Sequence, residues 1–383
     1  MAKNIIICCD GTSNQYGKNN TNVVKLYEMI EIGPHQFNFY DPGVGTSSRS
    51  LFIPFRWISN KLSQGLGLDL HKNVEDAYLY LMNNFEKEDR IYLFGFSRGA
   101  HTVRRLAAVL GKCGLLYRGS DNMVPYVLRM YDGDEDQSII DNFRKTYTYA
   151  CPVYLLGVWD TVSALTRLIP RSKLDGLLSS EIQFAYQAVS IDEKRLQFPP
   201  NLFSDQNKNA NQVIEEVWFA GVHSDVGGSY NEQGLSNIPL KWILNKAKDA
   251  GLCVYSDAIE SLSLNALEKS HESWRGFFWF IPWHVYGLLI LMVLLLVQLI
   301  ISYADLFGDF PYRPFNTTVY FIESNWLYTL ILVILLIPFT QNRRVIPKGS
   351  KIHNSVKLRM DKSNYKPNNL LKLIENKEFE WVD

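Results

Sequence analysis

Gly95-Phe96-Ser97-Arg98-Gly99 follows the apolar run Ile91-Tyr92-Leu93-Phe94 and opens onto a helix-forming stretch, Ala100 to Gly111. Few folds accommodate that order. A buried strand must end, the chain must turn sharply between two glycines, and a helix must start at once. That places the pentapeptide at the carboxyl edge of a sheet with the helix packed back across it. Such a turn pushes the serine hydroxyl clear of the backbone, where it can attack a carbonyl. A plainer reading makes Ser97 a helix N-cap that satisfies orphan amides. The strand and helix on either side favour the first.

A nucleophilic serine needs a base, and the base needs an orienting acid. On parallel α/β sheets these follow in the order Ser, Asp or Glu, His, each on a loop after a strand. Tyr154-Leu155-Leu156-Gly157-Val158-Trp159 reads as a buried strand followed by Asp160-Thr161-Val162. Glu216 to Ala220 reads as another, running into Gly221-Val222-His223-Ser224-Asp225-Val226-Gly227-Gly228. Asp160 and His223 thus fall just past predicted strand ends, where open parallel sheets bind ligands. Asp160 also suits a simple turn, and His223 a satisfied structural histidine. Of the seven histidines, His101 reads as a packing or surface residue, and His353 is the chief rival for the base. Asp225 reads as an accessory group that orients the loop or binds an ion.

An oxyanion hole takes two backbone amides. Arg98, next after the serine, supplies one. The other comes from the loop after the early strand Asn4–Cys9, at Gly11 or Thr12. Asp10 there is a further accessory candidate. An aspartyl-phosphate phosphatase would carry a second Asp two residues after Asp10, and that position is Thr12.

The order of elements predicts an α/β fold, an α/β-hydrolase-like, doubly wound, mostly parallel sheet. Helices are expected over Val23–Ile32, Leu70–Phe85 and Ile238–Ala250, with a short strand at Gln36–Tyr40 and a glycine-rich loop at Pro42–Thr46. Residues from about Leu165 to Gln212 read as an irregular cap over the site.

These stretches resemble a bacterial and fungal α/β-hydrolase family long catalogued as a domain of unknown function, which includes phospholipase effectors of type VI secretion. The resemblance rests on Cys9-Asp10-Gly11-Thr12-Ser13-Asn14, Thr21-Asn22-Val23, Tyr40-Asp41-Pro42-Gly43-Val44-Gly45-Thr46 and Gly95-Phe96-Ser97-Arg98-Gly99-Ala100. It continues through Val158-Trp159-Asp160-Thr161-Val162, Ser190-Ile191-Asp192-Glu193-Lys194-Arg195 and the glycine-rich loop at His223. It ends with Ile352-His353-Asn354-Ser355-Val356 and Tyr365-Lys366-Pro367-Asn368-Asn369-Leu370. It implies a triad of Ser97, Asp160 and His223, and esterase or phospholipase chemistry. No cofactor and no metal is expected, with ion binding at Asp10 or Asp225 left open.

A second feature lies between Phe277 and Phe339. Phe277 to Tyr303 is interrupted only by Pro282, His284, Gln298 and Ser302 among apolar, aromatic and glycine residues. A bilayer-spanning helix needs about 20 such residues. Trp274, Trp279 and Trp283 cluster at its start, as an interfacial belt would. Val319 to Phe339 is a weaker second span, broken by Glu323, Ser324 and Asn325. Lys269 and Arg275 flank the pair on one side, and Arg343, Arg344, Lys348 and Lys351 on the other. The connecting loop holds Asp305, Asp309 and Glu323 against Arg313. The positive-inside rule puts both flanks in the cytoplasm. The expected organisation is a catalytic domain over 1–270, a transmembrane hairpin over 277–339, and a segment over 341–383 that returns to the hydrolase. The hydrolase motifs at His353 and Tyr365 require that even number of crossings.

Composition narrows the partners. Lys and Arg total 39, as do Asp and Glu, so no basic surplus points to nucleic acid. The five cysteines have no metal-ligand spacing and read as reduced thiols. A lipid or other ester at a membrane is the expected substrate. A non-catalytic membrane module on the same fold, or a toxin-like effector that inserts into a target membrane, are the alternatives. Oligomeric state is not legible in the sequence.

Overall fold

Ile5, Ile6 and Ile7 have no exposed surface, which places their strand inside a sheet covered on both faces. In the computed structural model, which describes residues 2–11, 14–43, 68–162, 178–195, 198–203, 211–272 and 344–383, they lie in β1 (Asn4–Cys9). The other main strands are β2 (Gln36–Asp41), β3 (Arg90–Phe96), β6 (Val153–Trp159), β7 (Phe184–Ser190), β8 (Val213–Phe219), β9 (Ser350–His353) and β10 (Phe379–Val382). They form one sheet of order β10-β9-β8-β7-β6-β3-β1-β2. Each neighbouring pair runs parallel. A two-residue pair, β4 (Leu115–Leu116) and β5 (Thr148–Tyr149), is antiparallel and separate.

Strand alternation divides the interior in two. Ile5, Ile7 and Cys9 pack with side chains of helices Leu68–Asn84 and Arg98–Cys113, among them Ala77, Leu81, Val103 and Leu106. Ile6 and Cys8 face the other way, against Leu26 of helix Asn22–Met29 and Leu240 and Ile243 of helix Asn237–Asp249. Full burial of each isoleucine contributes about 1.5–3 kcal/mol relative to exposure. The helix periods expected at these places appear within a few residues of their predicted bounds.

The strand order fixes where a site can lie. From β1 the chain moves outward to β2, then crosses to β3 on the other side. The carboxyl ends of β1 and β3 therefore flank a topological switch point, the position at which open α/β sheets form a binding crevice. Asp10-Gly11 and Ser97 are the residues there. Two glycines let the helix start so close to β1. A Cβ at Gly99 would stand 2.1 Å from the Cys9 carbonyl oxygen, and one at Gly95 would stand 2.6 Å from the Gly99 backbone.

The stretch from Leu165 to Gln212 is not a wholly irregular cap, because β7 runs through it between β6 and β8. Its sequence, Phe-Ala-Tyr-Gln-Ala-Val-Ser, hides a central strand behind small residues and a mid-strand amide. Gln187 is tolerated in the interior because both ends of its amide are satisfied. Its oxygen accepts from Thr161, and Nε2 donates to the Asn201 carbonyl at 3.0 Å and to Glu216 Oε1 at 2.6 Å. Residues 165–177, 196–197 and 204–210 of the expected cap lie outside the described residues.

Residues Met1–His271 and Asn342–Asp383 make one compact unit and Glu272–Gln341 a second. In the first, β9 and β10 extend the sheet past β8. The two hydrophobic segments, 277–303 and 319–339, lie outside the described residues. Among the described residues no helix is long and apolar enough to cross a membrane.

Candidate active site

Ser97 sits between β3 and helix Arg98–Cys113 with φ 57° and ψ −119°. For a residue with a Cβ this is a costly conformation, on the order of 1–3 kcal/mol. The flanking elements hold it there, and the Ser97 amide donates to the Trp159 carbonyl at 3.0 Å. The hydroxyl does not cap the helix. It meets His223 Nε2 at 2.8 Å instead. On the far side of the ring, His223 Nδ1 lies 2.5 Å from Asp160 Oδ2. A carboxylate can only accept, so Nδ1 carries the proton and Nε2 is left to accept from the serine. The structure thus brings Ser97, His223 and Asp160 together from the ends of β3, β8 and β6.

Each partner is held by its loop. Asp160 also has positive φ, at 42°, and its amide donates to the Ala188 carbonyl at 2.7 Å. Its Oδ1 accepts from the Ser190 amide at 2.9 Å. His223 opens the short helix His223–Gly227. Its ring lies against Phe96, with centroids 4.6 Å apart, and edge-on to Phe198 at 5.0 Å. The His223 amide donates to Glu193 Oε2 at 3.3 Å, and Glu193 also takes a paired bond from Arg195, at 2.9 Å through both Nε and a terminal nitrogen. Asp192 Oδ2 accepts from the Gly221 amide and from the Tyr365 hydroxyl, both at 2.7 Å. Asn22 bridges the carbonyls of Val226 and Ser236 at 2.8 Å each. The polar motif residues around the serine are therefore a scaffold that fixes the histidine loop.

Arg344, one of the positive charges that flank the expected hairpin, has a further place that sequence reasoning missed: its side chain is 3 % exposed and lies on Asp160. One terminal nitrogen donates to Asp160 Oδ1 at 2.5 Å and the other to Oδ2 at 3.0 Å. The same group reaches the Ser190 carbonyl and hydroxyl and the Phe198 carbonyl. No local signal marks this. A basic residue after an apolar stretch reads as a flank because its partner is 184 positions away.

The electrostatics suit proton transfer. Burial by itself would raise the Asp160 carboxyl, but the Arg344 guanidinium and the His223 hydrogen bond overcome that and hold it well below the usual carboxylate range. Burial lowers His223 below the ordinary imidazole value, with Asp160 opposing. The ring is thus neutral near pH 7 and free to take a proton.

The remaining candidates fall as follows. Arg98 is the first residue of the helix after the serine, so its amide faces the crevice end of that helix. A Cβ at Gly11 would lie 3.1 Å from the Ser97 Cβ, which places Gly11 beside the hydroxyl. Its amide, however, donates to Asp10 Oδ1 at 2.7 Å, so in this state it is not aimed at an oxyanion. Thr12 lies outside the described residues. Asp10 Oδ2 accepts from Thr21 and Tyr40 hydroxyls at 2.9 Å each, and burial raises its carboxyl to about 6. Asp225 Oδ2 accepts from the Val222 and His271 amides at 3.0 Å, and its Oδ1 meets His271 Nδ1 at 2.7 Å. Asp225 thus ties the histidine loop to His271. His353 is stacked on Phe219 and caps helix Asn354–Lys362 through its own ring nitrogen. His101 lies in the helix after Ser97, its amide bonded to the Ser97 carbonyl. Among the described residues no His, Cys, Asp and Glu cluster could hold a metal ion.

A serine on a strained strand-to-helix turn, a neutral histidine and a buried carboxylate, at the carboxyl edge of a parallel sheet, is the arrangement shared by the triad hydrolases of α/β class. The chain belongs to the type VI secretion (T6SS) phospholipase effector Tle1-like family, whose catalytic-domain model matches residues 3–246. Among curated proteins, the uncharacterized protein YEL023C of Saccharomyces cerevisiae is 32% identical over 223 residues, 53% of this chain and 33% of that protein. The chain thus spans about a third of that relative's length. An uncharacterized protein from Pseudomonas aeruginosa aligns over 69% of this chain and 49% of its own at 19% identity and a TM-score of 0.40. The Tle1 effector bound to the VgrG spike of the type 6 secretion system aligns over 60% of this chain and 51% of its own, at 18% identity and a TM-score of 0.36.

Proposed function

We propose that this protein is a serine ester hydrolase acting on a phospholipid or related lipid, with Ser97 as nucleophile. The observation that carries the reading is the unbroken relay from Ser97 Oγ through His223 to Asp160, at 2.8 and 2.5 Å, on a strained turn. The lipid part rests on family membership. His223 takes the serine proton as Ser97 attacks the ester carbonyl, then returns it to the leaving alcohol. Asp160 holds the imidazole tautomer and stabilises the imidazolium. The Arg98 amide faces the developing oxyanion. The second donor is Thr12, or Gly11 once its amide leaves Asp10. A water then hydrolyses the acyl-enzyme by the same proton path.

The reading includes a membrane tether. Residues 277–339 form a hairpin that crosses the bilayer twice, and 1–270 with 341–383 make the catalytic domain on the cytoplasmic side. Full-length protein in mixed phospholipid liposomes is expected to release fatty acid. In cells, it is expected to stay with membranes through alkaline carbonate extraction, whereas a deletion of 277–339 does not. No release and no labelling by a fluorophosphonate probe would leave a non-catalytic membrane module. Labelling without release would retain the hydrolase and discard the lipid.

The acid limb is also specified. Protonating His223 removes the base, and its value lies below 6.5. In the free enzyme the acid limb of kcat/KM is therefore centred below the ordinary imidazole value, and activity falls as pH drops through it. An acid limb centred above 6.5 would point to a different base.

A further inference from the structure

We propose that Arg344 is a positioning residue for catalysis, setting both the charge and the plane of the Asp160 carboxylate. The inference rests on the hydrolase reading and lies beyond residues 3–246, the span matched by the family model. Three observations carry it. First, the guanidinium grips both carboxylate oxygens at 2.5 and 3.0 Å, and Oδ2 is the oxygen that meets His223. A planar fork of this kind fixes orientation as well as charge. Second, Asp160 is fully buried. An ionised carboxylate there is costly without a counter-charge, and the neutral His223 does not provide one. Third, the Arg344 backbone is itself secured. Asn369 Nδ2 donates to the Arg344 carbonyl at 3.1 Å and to the Ile191 carbonyl at 3.0 Å. This gives the Tyr365–Leu370 motif a physical role.

Stability alone is a poor reason for such a group, since a buried ion pair contributes little beyond an apolar substitute of the same volume. Its placement also links two distant parts of the chain. His271 fastens the chain before residues 272–343 to Asp225, on the histidine loop, and Arg344 fastens the chain after them to Asp160. The acid and the base are each tied to one root of the hydrophobic insertion.

The test uses full-length protein in detergent, with fluorophosphonate labelling rates from pH 4.5 to 8 and the His223 ring titrated by NMR. In Arg344→Met, loss of the positive charge beside Asp160 moves the His223 titration up by about one to two units. The acid limb of labelling moves with it. The plateau rate falls on the order of 10²-fold, the penalty for a displaced catalytic group. Arg344→Lys keeps the charge and loses the fork, so its titration stays near wild type while its rate falls. Guanidinium ion added to Arg344→Gly restores part of the rate. A folded Arg344→Met with wild-type titration and rate would overturn the proposal. So would an Arg344→Lys with wild-type rate, should Arg344→Met fail to fold. Wild-type protein that does not label at all removes the hydrolase reading, while the NMR titration still decides whether Arg344 governs the Asp160–His223 pair.

Discussion

Ser97→Ala abolishes ester hydrolysis and fluorophosphonate labelling while leaving the fold intact. Removing a triad serine costs on the order of 10⁶-fold in kcat in comparable enzymes, the residue of activity coming from the oxyanion donors and binding. The hydroxyl contributes little to stability here. It caps no helix, and its one partner of note is the histidine it is proposed to react through. The strained φ of 57° belongs to the turn and persists in the alanine protein. The melting temperature is therefore expected to stay within a degree or two of wild type, the usual range for a change of about 0.5 kcal/mol. Fatty-acid release from liposomes and a thermal melt check both halves. Activity retained in a folded Ser97→Ala protein would remove the nucleophile assignment.

Asp160→Asn produces a loss of a different kind. The amide can present its NH₂ group to His223 Nδ1, which then holds the proton on Nε2 and turns the base away from the serine. In a comparable triad that change costs about 10⁴-fold in kcat. A second effect is particular to this chain. Arg344 is left with a neutral partner in a buried position, and breaking a buried pair by neutralising one member costs about 3–5 kcal/mol. The variant should thus be both inactive and clearly destabilised, unlike Ser97→Ala. Measured side by side, kcat and melting temperature separate the two. An Asp160→Asn protein as stable as wild type would mean that the guanidinium is not held by charge.

What could be read from the chain follows from range. Ser97, Asp160 and His223 were legible because each closes an apolar strand and enters a turn within a few residues, so local patterning alone put all three on one sheet edge. The helices after β1 and β3 were legible for the same reason. β7 was not, because a central strand built on alanines and Gln187 lacks both alternation and flanking breakers, and its polar centre is satisfied only by Thr161, Asn201 and Glu216 on other segments. Arg344 was hidden further, since local sequence cannot tell a charge facing water from one buried on a carboxylate. The engaged amide of Gly11 depends on a single side-chain rotamer of Asp10, which no pattern encodes.

The distance between Arg344 and its partner also matters during synthesis. When the ribosome has translated through residue 271, the nascent chain already carries the serine, the histidine and the aspartate, along with β1, β3, β6, β7 and β8. It still lacks the counter-ion of Asp160, which emerges only after the long apolar stretch has been made. If Arg344 acts as argued, a half-made polypeptide is a poor lipid-degrading enzyme. On that reading full competence arrives only once the apolar stretch has been translated, so the order of the gene's codons itself delays catalysis.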